Sequence, residues 1–168
     1  MLPRKLQNMN MFHEGASFLG EVASVTLPKL SRTTQDYRGG GMPGSVELAT
    51  GLDKLALEWA IGGYTPEVIR QFGVTDVAGT LLRFVGAYQR HDTGTYDAVE
   101  VVMRGFHKEI DRGDAKPGED TETKITSSLS YYKEILNGEV LCEIDMLNCI
   151  AIFNGVDTLA AERAAMNI

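Results

Sequence analysis

Apolar and polar residues alternate along most of this chain with the period of two that a half-buried strand requires, and turn-forming residues punctuate the alternation. Tyr96 to Arg104 sets Val99, Val101 and Met103 on one face against Ala98, Glu100, Val102 and Arg104 on the other. Before it, His91-Asp92-Thr93-Gly94-Thr95 holds the polar and φ-positive residues of a hairpin turn, and Thr80 to Arg90 is the strand that enters that turn. Asn8 to Phe12 and Ala16 to Leu19 flank His13-Glu14-Gly15 as a second, shorter hairpin. Glu21 to Thr26 alternates too, with Val22 and Ser24 on one face against Ala23, Val25 and Leu27, until Pro28 ends it or places it at a sheet edge.

Further on, Val46, Leu48, Leu55, Leu57, Trp59 and Ile61 share one face of a hairpin from Val46 to Ile61. Glu47, Ala49, Ala56, Glu58 and Ala60 take its other, small or acidic, face. Thr121 to Leu136 forms a long strand, with Ile125, Leu129, Tyr131 and Ile135 opposed to Lys124, Thr126, Ser128 and Ser130. Asn137-Gly138 predicts a two-residue turn that sets Ile135 opposite Val140 and Tyr131 opposite Ile144.

Four segments break the alternation. Thr65-Pro66-Glu67, followed by Val68, Ile69 and Phe72 and closed by Gly73, predicts a short helix with proline in its first turn. The alanine-rich Asp157 to Met166, with Leu159, Arg163 and Met166 along one side, predicts a C-terminal helix. Ser31 to Ser45 is too polar and glycine-rich for a regular element and predicts a long loop, the kind that is usually functional in a compact domain. Phe106 to Asp120 predicts a second, charged loop, either a solvated surface or a contact for a partner subunit.

The 168 residues suit one domain, residues 1–168, that buries a sizeable core without staples. A hydrophobic fraction of 43% and a charged fraction of 23% are those of an ordinary soluble protein. No apolar run reaches the ~20 residues of a membrane span. The opening Met1-Leu2-Pro3-Arg4-Lys5 lacks the pattern of a secretory signal, so cytoplasmic synthesis is expected. A net charge of −7 argues against a grip on nucleic acid, which needs lysine and arginine.

The residues that could carry chemistry are scattered. His13, His91 and His107 fall in or beside predicted turns and read as exposed loop histidines. Cys142 and Cys149 match no redox or zinc spacing and read as small buried apolar residues. Gly39-Gly40-Gly41 is not followed by the Lys-Ser/Thr of a phosphate loop. The acids from Glu109 to Asp120 lack calcium-loop spacing. No nucleophile elbow is present and nothing selects a carboxylate pair, so no catalytic residue, metal or cofactor is expected.

Taken in order, TLPKL (Thr26 to Leu30), YRGGGM (Tyr37 to Met42), LEWAIGG (Leu57 to Gly63), YQRHDTG (Tyr88 to Gly94), VEVVMRG (Val99 to Gly105), KEIDRGDAKPGED (Lys108 to Asp120), EID (Glu143 to Asp145) and NGVD (Asn154 to Asp157) closely resemble the major tail tube proteins of contractile-tailed bacteriophages, a family shared with R-type pyocin tubes. The resemblance spans about Pro3 to Met166. It implies a non-enzymatic, mainly β fold of two packed antiparallel sheets, sandwich or barrel-like, with a short flanking helix and a C-terminal helix. It also implies hexameric rings, joined edge to edge and stacked into a hollow tube inside a sheath.

Six subunits giving about four strands each, at ~4.8 Å per strand, close a wall roughly 115 Å around and about 37 Å across, wide enough for duplex DNA. The implied partners are further copies of the chain, the tail sheath protein, the tape measure protein, the baseplate or tube initiator and the tail terminator. DNA passes through the lumen without specific binding, and the place of action is the virion tail.

On this reading Glu47 and Glu58 line the lumen, and Tyr37, Arg38, Gly39, Gly40 and Gly41 stack ring on ring. Lys108, Glu109, Asp111, Arg112, Asp114, Lys116 and Arg163 meet the sheath or a neighbouring subunit. The competing readings are a headless pyocin-like particle, a type VI secretion tube, a monomeric β-sandwich binding module and an enzyme with an unrecognised carboxylate site.

Overall fold

The computed structural model describes Met1–Ile168. Its strands are β1 (Arg4–His13), β2 (Ala16–Ser17), β3 (Val22–Thr26), β4 (Arg32–Tyr37), β5 (Val46–Leu52), β6 (Leu55–Gly62), β7 (Thr80–Arg90), β8 (Tyr96–Asp111), β9 (Glu122–Leu136), β10 (Glu139–Asp145), β11 (Ile150–Phe153) and β12 (Val156–Asp157). Two short helices, α1 (Pro66–Gln71) and α2 (Ala160–Ala165), complete the mainly β fold. All pairing is antiparallel, in one ten-stranded sheet and one two-stranded sheet.

The architecture turns on β9. One of its edges pairs with β8, while its other edge is divided between two partners. Glu122 to Leu129 pairs with β6, which continues to β3; Tyr131 to Leu136 pairs with β10, which continues to β11 and β12. The division falls at Ser130, which a bulge leaves between the pairs Arg104–Tyr131 and Gly105–Leu129. An extra residue bends a strand and increases its twist, which is how one strand serves two walls. Beyond β8 the sheet runs through β7 and β1 to β2.

The period-two face predicted for Leu55, Leu57, Trp59 and Ile61 is the buried face of β6. It joins Met11, Leu82, Phe84, Val101, Met103, Ile125, Tyr132, Ile144 and the α1 residue Val68 in a single apolar cluster. The Asn137-Gly138 turn has both residues at positive φ, 49° and 85°, as a type I′ turn requires, and Ile135 lies opposite Val140. Thr80–Arg90 and the α1 region also match their sequence reading.

Bulges account for two departures. In β3 the register shifts between Val22 and Ser24, so Val22 and Val25 both pack on the core instead of facing opposite ways. In β10 a shift between Val140 and Cys142 sets Ile144 opposite Tyr132, not Tyr131, and the Ser130 bulge has already turned Tyr132 inward at 3% exposure. The two irregularities compensate, keeping Tyr132, Cys142 and Ile144 on one buried face.

Other departures have different causes. There is no hairpin from Val46 to Ile61: β5 pairs only with β4, and β6 lies between β3 and β9. The predicted loop Ser31 to Ser45 contains β4, which has no apolar face because the β4–β5 hairpin is exposed along almost its whole length. The predicted loop Phe106 to Asp120 is strand as far as Asp111. The C-terminal helix is shorter than predicted and buries no residue, while β12 occupies Val156–Asp157. His91 is exposed, but His13 and His107 are core residues at 1% and 3% exposure. Cys142 is buried as expected; Cys149 is half-buried in a turn at φ 54°.

Candidate functional site

Four strands, in the order β3-β6-β9-β8, form a section with an open edge on each side. β3 has no partner beyond β6. On the far side, β7 covers β8 only from Tyr96 to Gly105, so Phe106 to Asp111 presents a bare edge. The bare edges are five and six residues long, and β3 and β8 run in opposite directions through the section. Unpaired backbone N–H and C=O groups in such a row are a template for another strand.

The outward face of this section is polar. One cross-strand row reads Thr26, Glu58, Thr126, Glu109, and the next reads Ser24, Ala60, Lys124, Asp111. A shallow depression gathers Glu58, Glu109, Asp111 and Lys124, three acids against one base. The other face of the same strands carries Trp59, Ile125 and His107 into the core. Glu58 therefore lies on this polar face, and Glu47 does not share it, being on the β4–β5 hairpin opposite Asp36. Glu109 and Asp111, read from sequence as loop residues, belong to this face. A bulge between His107 and Glu109 breaks the alternation there, putting His107 and Ile110 three positions apart on the inward face and hiding the strand.

The two ends of the section differ. At the end marked by Thr26 and Leu55 the chain leaves as the β4–β5 hairpin, tied by its backbone ladder and by the Thr33–Thr50 hydroxyl contact at 2.9 Å. The tip holds Tyr37, Arg38, Gly39, Gly40 and Gly41 together, with Arg38 Nε donating to the Met42 carbonyl. Tyr37, Val46 and Leu48 are about half exposed, and no ion pair involves the facing Asp36 and Glu47. Like charges directly opposite are unfavourable within a hairpin. At the other end of the section lies the Arg112–Thr121 loop with Asp114, Lys116, Glu119 and Asp120; it borders a wide hollow with Glu21, Tyr64 and Glu122. Lys116 and Glu119 are 3.9 Å apart and mostly exposed, a weak pair.

Arg163 is not a free contact residue. It pairs with Asp157 and donates from Nη1 to the Cys149 carbonyl at 2.8 Å, clamping α2 to β12 and the β10–β11 turn. The hydrogen bond from Arg163 holds the Asp157 carboxyl below its usual range. Replacing Arg163 by alanine is expected to fray α2 and raise amide exchange across residues 160–166 while leaving β9 protection unchanged. Because the Asp157 pKa is depressed in the folded state, the clamp is complete above the unfolded carboxylate range and is lost as pH falls through the folded value. Unchanged exchange in α2 would show that the helix is held some other way.

No group of three or more His, Cys, Asp or Glu is placed to hold a metal ion. No helix is long and apolar enough to cross a membrane. The pattern of open edges, projecting hairpin and polar face is that of a subunit built to meet other chains.

The sequence profile of the family described as phage tail tube protein FII matches residues 3–166. The chain is 49% identical over 165 residues to the tail tube protein of Escherichia phage P2, covering 96% of each chain. It is 42% identical over 151 residues to the major tail tube protein of Serratia phage KSP20, covering 89% of this chain and 86% of that one. Among solved structures, the sheath/tube terminator of the PVC extracellular contractile injection system superposes with a TM-score of 0.59 at 13% identity, over 81% of this chain and 97% of that one. The sheath–tube complex of the same system gives a TM-score of 0.56 at 14% identity, over 80% and 90%. At these identities the structural likeness is one of fold.

Proposed function

This chain belongs to the phage tail tube protein FII family and is a structural protein of a contractile phage tail, not an enzyme; from that premise we propose how the subunit builds its tube. The whole chain acts as one tube domain. Six copies form a ring in which the Phe106–Asp111 edge of one subunit pairs with the β3 edge of the next. That joint is antiparallel, because β8 and β3 run oppositely within the section, and so it continues the alternation of the sheet. Four strands from each of six subunits give about 24 strands and a wall near 37 Å across, before tilt and side chains are counted.

The observation that carries this reading is the pair of open edges, similar in length and on opposite sides of one four-stranded section. Rings then stack head to tail. The hairpin of one ring reaches past the Leu55 end to meet the next ring, whose Arg112–Thr121 loop lies at the opposite end. The solvent-facing side of the section lines the lumen, with Glu58, Glu109 and Asp111 keeping polyanionic DNA from adhering as it passes. Sheath and terminator proteins, which are named with the tubes of structural neighbours, are partners of the assembled tube; a baseplate or tube initiator starts it, and the tape measure protein occupies its lumen before DNA does. Assembly in the host cytoplasm precedes incorporation into the virion tail.

Electron microscopy of purified protein across a concentration series, with light scattering for the soluble mass, tests the ring. Six-fold rings or hollow tubes of the expected bore support it. A monomer that persists even with baseplate initiator added overturns it and favours a binding module. The lumen assignment has its own test. Replacing Glu58 and Glu109 together by lysine should leave tubes intact and slow DNA ejection, with the slowing relieved by added salt. Tubes that fail to form would move these residues into a subunit interface.

A further inference from the structure

Two imidazoles lie inside the apolar core. His13 ends β1, and His107 lies on the open-edged part of β8. Their Nε2 atoms are 2.8 Å apart with rings 15° from parallel, and Ser127 Oγ is 2.9 Å from His107 Nδ1. Phe18 and Trp59 enclose His13 at centroid distances of 6.1 and 6.2 Å. The pair thus ties the β1–β2 corner across the core to the β8–β9 ladder.

At this distance two neutral rings share one N–H···N bond, one donating and one accepting. A first added proton goes to the outer Nδ1 of the donating ring, whose Nε2–H still donates to its neutral partner. A second leaves two N–H donors facing each other with no acceptor, in a site that penalises charge. The acids that face the pair come from the β1–β2 turn, Glu14, and from α1, Glu67. Both favour a charged His13 only through space, and Glu14 Oε1 already accepts from the Leu81 backbone N–H at 2.7 Å. Ser127 from β9 and Trp59 from β6 carry no charge. Burial prevails over these acids and lowers His13; burial, then the charge of His13, brings His107 to about 4.

We propose that the His13–His107 pair is an acid-release latch, holding the β1–β2 corner against the open-edged part of β8 while both rings are neutral and letting go when protons enter. Both folded-state values lie below the unfolded histidine value of about 6.5, so the opened state binds more protons in acid. The latch is complete above about pH 6.5 and is lost as pH falls toward the folded value of about 4. Its effect on assembly rests on the edge-joining reading; the latch itself belongs to the single subunit.

The test is amide exchange of the dilute subunit at neutral pH and near pH 4.5, corrected for intrinsic rates, beside an NMR titration of the histidine rings. Protection of Met11–His13 and Phe106–Asp111 should fall at least about tenfold relative to β10 and β11 in acid. The His107 ring should titrate near 4 and the His13 ring below the unfolded histidine value of about 6.5. In a His13→Gln, His107→Gln variant the acid-specific loss should vanish. Uniform exchange, ring titration near 6.5, or an undiminished acid response in the variant overturns the latch. If the variant does not fold, the wild-type ring titration decides alone. Should the latch open in acid while assembled tubes persist unchanged, the edge-joining reading fails and the latch stands.

Discussion

Replacing Gln35 to Leu48 by Asn-Gly should abolish tubes while leaving a folded subunit that still forms rings. The replacement joins Thr34 directly to its partner Ala49 through a type I′ turn and keeps the Thr33–Thr50 contact. Nothing in the core is removed. Every deleted residue is exposed except Gly39 and Met42, and β4 and β5 pair only with each other. The change in unfolding free energy should therefore stay within about 1 kcal/mol, as for surface changes. The assembly effect should be near total, because Tyr37, Val46, Leu48 and the unneutralised Asp36–Glu47 pair go together. Sedimentation separates the outcomes: wild-type protein pellets as long tubes and the variant stays at ring mass. Long tubes from the variant would remove the hairpin from ring stacking. Monomers alone would make it part of the ring joint.

Gly105→Ala should have the largest effect on the fold itself. A Cβ at Gly105 would lie 1.9 Å from the Ser128 carbonyl oxygen and 2.8 Å from its carbon, both backbone atoms that cannot rotate aside. Gly105 sits beside the Ser130 bulge, where β8 and β9 approach closely and β9 passes from one partner to the other. The added methyl must push apart a ladder that both walls share, at a cost of about 3 kcal/mol or more. Gly40→Ala is the control. It has no atom within 4 Å of the added carbon, and its change should stay within about 0.5 kcal/mol. Urea midpoints for the three proteins decide the matter. Equal midpoints for Gly105→Ala and wild type would mean that the close approach relaxes freely.

Much of the fold is legible as period two. β6, β7, β9 and the Asn137-Gly138 hairpin declare themselves because large apolar residues recur at alternate positions between turn-forming pairs. What hides is whatever breaks the period. The bulges at Ser130, between Val22 and Ser24, and between His107 and Glu109 each slip the pattern by one residue without a mark in composition. They misassigned Val22, Tyr131 and the Phe106–Asp111 strand. The β4–β5 hairpin hides for another reason: alternation reports burial against the subunit's own core, and this hairpin has none to report. The Thr33-Thr34 pair was the remaining hint, since β-branched residues favour strands.

The candidate site was legible in part. Glu58 lies on the polar face of the four-stranded section, and Tyr37–Gly41 at the tip of the exposed β4–β5 hairpin. Glu47 was attached to the wrong hairpin because Val46–Leu48 and Leu55–Ile61 look like two arms of one. His13 and His107 look like loop residues beside glycine and charge, and only the fold, ninety-four positions of separation closed to 2.8 Å, brings them together.

The division of β9 between two partners has a mechanical meaning. Its 15 residues span about 50 Å of extended backbone, bonded to β6 over one half and to β10 over the other. A pull that loads the β3–β6 side reaches the β10–β11 side along a covalent strand, not through a glued seam of side chains. Hydrogen-bond ladders on both sides of that strand would be strained in shear, many bonds at once, instead of unzipping singly from an end. A tail tube under load gains from such a member, since the two sets of strands that β9 joins have no plane along which to part.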